Sequence, residues 1–366
     1  MRAFVQKLCE EFAANGNFSG VCLFKRGDET IFEGVYGFAN RAFRVPNAAD
    51  TRFDTASVTK IFTAAAVLQL AEQGRLRLSD RITALVDLSG TKIPEDVTVG
   101  QLLNHTSGIA DDADEEAGES YAALFQDSPN YAIRECRDFL KNFAWKEPVF
   151  PAGTAARYCN CSYVLLGMAV EAVSGENYRN YFARHIFEPA GMSRTAFLSM
   201  EEINADTAEG YESVWDEAGR FAGYRKNIYA FPPRGTPDGG AYTTAGDLCR
   251  FFEAVREGRI LGRSTAEQFL MPHCPFTAPE PRLGVPGLYA QNGYGLEFLM
   301  LPGEETPFCI GKDGQNPGVS AYVTYYPRSN STLVLLANQD CNVWEMTREV
   351  QQEMLRQTGL IPGFDR

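Results

Sequence analysis

The apolar and polar positions of this chain fall into three regimes. Near the N-terminus, Phe4, Val5, Leu8 and Phe12 recur at helical spacing among Lys7, Glu10 and Glu11, which predicts a surface helix. SGVCLFKRG and ETIFEGVYGFANRA follow as two β-rich runs about the Arg26-Gly27-Asp28 turn, a hairpin signal. From Ile61 to Ala71 the chain is apolar on every face, rich in Ala and Leu and closed by Gly74, the pattern of a buried helix with a glycine stop.

The middle of the chain is helical in short pieces. RLRLSDRITALV and TVGQLLNHTSGI predict brief helices, with turn chemistry at Thr106, Ser107 and Gly108. The acidic run Asp111 to Glu119 reads as a solvated loop, and His105 as a hydrogen-bonded structural residue. Helices are expected over Asn130 to Asn142, over Ser162 to Ser174, and over Asn177 to Phe187, the last stopping before Pro189. Ala208 to Pro237 reads as an irregular wall or lid of a cleft, and Thr244 to Asp247 as a capping box for a helix reaching about Glu257. Strand patterns return in GYGLEFLML, PFCIGK, SAYVTYYP and STLVLLAN, and a helix from Trp344 to Gln357 closes the chain.

Sheet signals at both ends and helices between them imply an α+β fold. Residues 1–80 and 285–366 would form a discontinuous sheet domain, 81–284 a mostly helical one, with the active site at their interface. At 366 residues and 45% hydrophobic content, the chain has more than enough apolar material for this.

Composition narrows the function classes. A formal charge of −13, from 47 acidic and 34 basic residues, argues against nucleic acid and anionic membranes as partners. The longest apolar run is too short to span a bilayer, and the N-terminus does not resemble a signal peptide. Nine cysteines without framework spacing fit reduced thiols and a cytoplasmic location. Cys159 and Cys161 read as small buried hydrophobes in preference to metal ligands. With three histidines, a zinc site or a Ser-His-Asp triad is hard to assemble.

The candidate chemistry lies at the start of the apolar helix, in FDTASVTK. Ser57 and Lys60 are three residues apart, so on a helix they face the same way. A serine hydroxyl becomes a nucleophile when a base takes its proton, and a desolvated lysine can be that base. Taken alone, S-x-x-K is common by chance and favours a serine cap followed by an ordinary lysine.

Two further stretches decide between these readings. Tyr158-Cys159-Asn160 precedes a helix, and Gly311-Lys312-Asp313-Gly314 ends a strand. With LLNHTSGI and GGAYTTAGDLCRF, and in this order, they resemble the serine β-lactamase and penicillin-binding-protein superfamily, in its class C β-lactamase, D-peptidase and esterase branch. The resemblance implies Ser57 as nucleophile, Lys60 as its base, and Tyr158 as the relay to leaving group and water. It implies substrate binding by Asn160, Lys312, Asp313, Gly314 and Gln315, an oxyanion hole from the N–H groups of Ser57 and Gln315, and no cofactor or metal. The chemistry agrees: ammonium groups and a phenol close together cannot all hold their protons, so one should be shared.

Asp313 departs from the family, which usually has Thr or Ser there to help bind a substrate carboxylate. A carboxylate facing the cleft would repel such substrates, and it could pair with Lys312 or attract an amine. The expected activity is hydrolysis of small carboxylic esters through an acyl-enzyme, with D-amino-acid amide or peptide cleavage next and β-lactam hydrolysis third. The rivals are a non-catalytic binder of acyl or peptide ligands and a structural or assembly protein.

Overall fold

The computed structural model describes residues 1–114, 117–275, 285 and 287–359. Glu115 and Glu116 of the acidic run, and the expected boundary at residue 284, lie outside the described residues.

The expected surface helix is α1 (Arg2–Ala14), followed by strands β1 (Gly20–Arg26) and β2 (Glu29–Tyr36) of the predicted hairpin. The apolar segment forms α2 (Lys60–Glu72), whose residues from Lys60 to Leu70 are all buried. A helix without a polar face can be stable only when surrounded, and α2 packs against α3 (Asn160–Ser174) at the centre of the molecule.

Three stretches differ from expectation. Ala208 to Pro237 is not wholly irregular, because Tyr211–Trp215 (β3) and Phe221–Lys226 (β4) pair as an antiparallel hairpin with aromatic contacts among Trp215, Phe221 and Tyr224. Asn130 to Asn142 is three short turns, at Asn130–Ala132, Cys136–Phe139 and from Leu140, and no continuous helix. The helix beginning at Tyr178 runs through Pro189 to Ala190, and the His185 carbonyl that Pro189 cannot bond accepts from Gln69 Nε2 at 2.9 Å instead. The next helix, α4 (Ala245–Arg256), starts from Thr244, whose side chain accepts from Asp247 N as its cap.

The remaining strands are β5 (Cys274–Pro275), β6 (Tyr289–Asn292), β7 (Glu297–Met300), β8 (Cys309–Asn316), β9 (Val319–Tyr326) and β10 (Ser331–Ala337), followed by α5 (Val343–Thr358). They join β1 and β2 in one eight-stranded sheet of order β2-β1-β10-β9-β8-β7-β6-β5. Its pairings are antiparallel, and Gly20 opposite Ala337 joins the two ends of the chain.

Alternate residues of each strand face opposite sides of this sheet. Val21, Leu23, Val323, Val334 and Leu336 enter the large core with α2, α3 and α4. Cys22, Phe24, Tyr322, Leu333 and Leu335 enter a second core covered by Val5 and Cys9 of α1 and Val343, Met346 and Val350 of α5. Burial of each such large side chain is worth about 1.5–3 kcal/mol, so both faces hold the sheet rigid.

One edge positions the site. β7 pairs with β8 only as far as Glu297 opposite Gly311, so β8 from Lys312 onward has β9 on one side and the turn before α2 on the other. Gly314 makes this approach possible: a Cβ there would lie 2.1 Å from Thr55 O and 3.0 Å from Ser57 N.

Candidate active site

Ser57 sits in a 3₁₀ turn, Ala56–Thr59, that runs directly into α2 at Lys60. In a 3₁₀ turn residues three apart eclipse one another, and Lys60 Nζ reaches Ser57 Oγ at 3.0 Å. The turn is entered through Ala56, whose φ of 43° is unfavourable for a residue with a Cβ. Asp54 Oδ1 accepts from Ala56 N at 2.7 Å, and Gly240 N donates to Ala56 O at 3.2 Å, which pins the bend on both sides. Burial raises the Asp54 carboxyl from 3.8 to about 6, against the hydrogen bonds from Ala56 and Thr55.

Lys60 is wholly buried. Besides Ser57 Oγ, its ammonium reaches Asn160 Oδ1 at 2.8 Å and Asp238 O at 2.6 Å. Three acceptors saturate three donor positions and aim the group at the serine.

Tyr158 Oη donates to Ser57 Oγ at 2.7 Å. Its ring lies between two cations, with Lys60 Nζ 4.9 Å and Lys312 Nζ 5.0 Å from the ring centroid. His105 stacks on the same ring at 4.7 Å, and its Nδ1 accepts from Cys159 N. Burial, with Lys60 and Lys312 nearby, holds the His105 pKa well below 6.5, so the ring is neutral and can accept that bond. His105 is thus the structural residue its turn suggested.

Asn160 opens α3, and Asp111 explains its placement. Asp111 Oδ2 accepts from Asn160 N and Oδ1 from Cys161 N, both at 2.9 Å, satisfying N–H groups that a helix start leaves orphaned. The acidic run is therefore not simply a solvated loop: Asp112 and Ala113 are buried, and Lys146 binds the carbonyls of Asp111 and Asp112. Asp111, Asp112 and Cys161 also bring ligand-type atoms within 4.8 Å of one another. Both Asp111 oxygens there already serve the helix start.

Lys312 is 3% exposed and hydrogen-bonds Asp313 Oδ1 at 2.7 Å and Glu297 Oε1 at 3.0 Å. Burial opposes its charge, but Asp313 and Glu297 outweigh burial and raise its pKa well above 10.5. Lys312 therefore keeps its proton, which leaves the expected shared proton to Lys60, Tyr158 and Ser57. Asp313 does not stand as a carboxylate open to the cleft either. Its Oδ1 takes Lys312 and its Oδ2 accepts from Trp344 Nε1 at 2.7 Å, at the start of α5.

Beside Ser57 opens a narrow cleft, lined among others by Asn160, Asp238 and Gln315, with Tyr121, Phe231 and Thr236 on its walls. The Ala208 to Pro237 segment contributes through Phe231 to Thr236, downstream of its hairpin. The structure thus gathers Ser57, Lys60, Tyr158, Asn160 and Lys312 about one point, with Gly314 against the serine turn, Gln315 in the cleft and Asp313 behind Lys312.

Sequence reasoning missed Glu297, Asp111, Asp238 and Trp344. Glu297 carried a signal, as a carboxylate between apolar Leu296 and Phe298 in a strand needs a partner. Asp238 carried no signal, because Pro-Asp-Gly-Gly is ordinary turn chemistry.

A buried ammonium and a phenol converging on one serine hydroxyl, beneath an antiparallel sheet, define a serine hydrolase of the β-lactamase and transpeptidase fold. Residues 5–354 match the Beta-lactamase family, and the chain belongs to it. Penicillin-binding protein 4* of Bacillus subtilis (strain 168) is 26% identical over 363 residues, covering 93% of this chain and 72% of that protein. A penicillin-binding protein from Bacillus halodurans has a similar structure, with a TM-score of 0.85 and 32% identity over 95% of this chain and 99% of that one. A D-stereospecific amidohydrolase from Streptomyces sp. shares the fold, with a TM-score of 0.76 and 23% identity over 96% and 98% of the two chains. Among the described residues no helix is long and apolar enough to cross a membrane.

Proposed function

We propose that this protein hydrolyses small carboxylic esters through an acyl-enzyme on Ser57. The observation that carries this reading is the simultaneous contact of Ser57 Oγ with Lys60 Nζ and Tyr158 Oη. Lys60, uncharged at the moment of attack, takes the serine proton directly or through Tyr158, and Oγ adds to the substrate carbonyl carbon. The N–H groups of Ser57 and Gln315 receive the oxyanion. Tyr158 then gives its proton to the leaving oxygen, and the alcohol departs. Lys60 restores the phenol proton, and when a water molecule attacks the acyl-serine its proton passes through Tyr158 to Lys60, which returns a proton to Ser57 Oγ as the acid is released. Lys312 moves no proton; its charge, with that of Lys60, stabilises negative charge on the phenol oxygen. Asn160 holds Lys60 in line.

The Lys312 environment supports a preference for neutral leaving groups. Two carboxylates already engage this ammonium, so a penicillin or a peptide C-terminus would compete with Asp313 and Glu297 for it. Amide cleavage is the second reading. It is favoured by the direct Tyr158 to Ser57 line, because an amine must be protonated before it can leave. The nine cysteines are all unpaired, which supports a reducing, cytoplasmic setting.

Two measurements test the proposal. Incubation with a fluorophosphonate followed by intact mass should show one adduct per chain, absent in Ser57→Ala. A panel of aryl esters of graded acyl length, D-alanine amides and nitrocefin should rank in that order. A chain that takes up no label and turns over no member of the panel is a binding protein, and the proposal fails.

A further inference from the structure

The carboxylate of Asp238 is unaccounted for by the reaction just described. Its backbone carbonyl serves Lys60, but its side chain takes no part in moving protons. Asp238 is 5% exposed, lines the cleft beside Ser57, and its Oδ1 is buried without a hydrogen-bond partner. Burial raises the pKa of this carboxyl, opposed by Lys60 and by hydrogen bonds from the Thr236 side chain and its own N–H, and the one oxygen left without a donor in a binding cleft is a place where a ligand can supply it. The surroundings add to the demand. Asp111 and Asp112 lie near enough to act electrostatically with Asp238, and Lys60 is the opposing cation.

The two sides of Ser57 differ in the same sense. Tyr158 and Lys312, which would face the leaving group, do not line this cleft, whereas Asn160, Gln315 and Asp238 do. The cleft is therefore the acyl side.

Resting on the proposed acyl-enzyme reading, we propose that Asp238 anchors a primary ammonium on the acyl part of the substrate, making amino-acyl esters and amides the preferred class. The walls suit this: Phe231 and Pro232 offer an apolar surface to a short side chain, while the acidic floor takes the charge. The ammonium replaces a missing donor and forms a charge-assisted hydrogen bond where an uncharged acyl group would leave Oδ1 as it is.

The test uses a pair of esters of nearly equal shape, alanine benzyl ester in each enantiomer and benzyl isobutyrate, in which a methyl replaces the ammonium. Benzyl alcohol release gives kcat/KM for each with the full-length protein at neutral pH. The wild type should prefer one alanine ester over the isobutyrate by about tenfold to hundredfold. In Asp238→Asn that ratio should collapse toward unity, mainly through KM for the amino ester. A wild-type ratio near one, with the isobutyrate still cleaved, overturns the ammonium site and leaves the esterase reading standing. A high ratio that persists in Asp238→Asn overturns the assignment to Asp238. Failure of both esters, with no fluorophosphonate adduct on Ser57, removes the acyl-enzyme reading and this inference with it. The wild-type ratio needs no variant, so a misfolded Asp238→Asn does not shield the proposal.

Discussion

Tyr158 Oη lies 2.7 Å from Ser57 Oγ, nearer the hydroxyl than Lys60 Nζ at 3.0 Å. The phenol and the ammonium thus reach the same hydroxyl directly, the phenol the closer of the two. Tyr158→Phe keeps the ring between the two ammonium groups and removes only the proton carrier. Its kcat on an aryl ester should fall about 10²–10⁴-fold, while Ser57 still labels fully, if slowly, with a fluorophosphonate. Steady-state kinetics on one preparation check this, and an unchanged kcat takes Tyr158 out of the proton path.

Asp313 shares the Lys312 ammonium with Glu297. Asp313→Asn deletes one of the two charges and keeps an acceptor for the Trp344 indole N–H, so the loss is electrostatic and not structural. The prediction is that the kcat/KM ratio of nitrocefin to a neutral aryl ester rises about tenfold, as Lys312 becomes available to a substrate carboxylate. Asp313→Ala should also leave Trp344 Nε1 without this partner and cost about 1–3 kcal/mol of stability by denaturant titration. An unaltered ratio in Asp313→Asn means that Asp313 does not set this preference.

Asp54 makes stability depend on pH in an uncommon direction. Its folded pKa of about 6 lies above 3.8, so the folded chain binds this proton more tightly than the unfolded one. Above about 6 the buried charge weighs fully against the fold, and the penalty disappears as pH falls towards 3.8. That gap corresponds to about 3 kcal/mol as an upper figure. Asp54→Asn keeps an acceptor for Ala56 N without the charge. It should be more stable than the parent at pH 7 to 8, by up to about 3 kcal/mol, and equal to it below pH 4. Urea titrations across this range decide the matter, and a constant difference would refute the assignment.

Much of this architecture was legible because it rests on short-range patterns. A helix with no polar face must be buried, and a serine three residues before a lysine must share its side, whatever the tertiary fold. β9 and β10 are apolar along most of their length, and that pattern survives into the sheet as strands buried on both faces. What could not be read depends on meetings between distant segments. Asp111 looks like one acid among several until the start of α3 arrives to use it, and Asp313 looks open until Trp344 and Lys312 close on it. The hairpin in 208–237 was obscured because its apolar residues, such as Tyr211, Val214 and Trp215, do not alternate with polar ones as a half-buried strand's would.

The carbonyl that steadies Lys60 comes from a residue 178 positions further along the chain, and the strand packed against the serine turn comes later still. A polypeptide still emerging from the ribosome, or clipped before its closing strands, therefore carries only an ordinary alcohol at this point. Activation of Ser57 waits on Asp238 and β8, which must fold against the serine turn before its base is held in place.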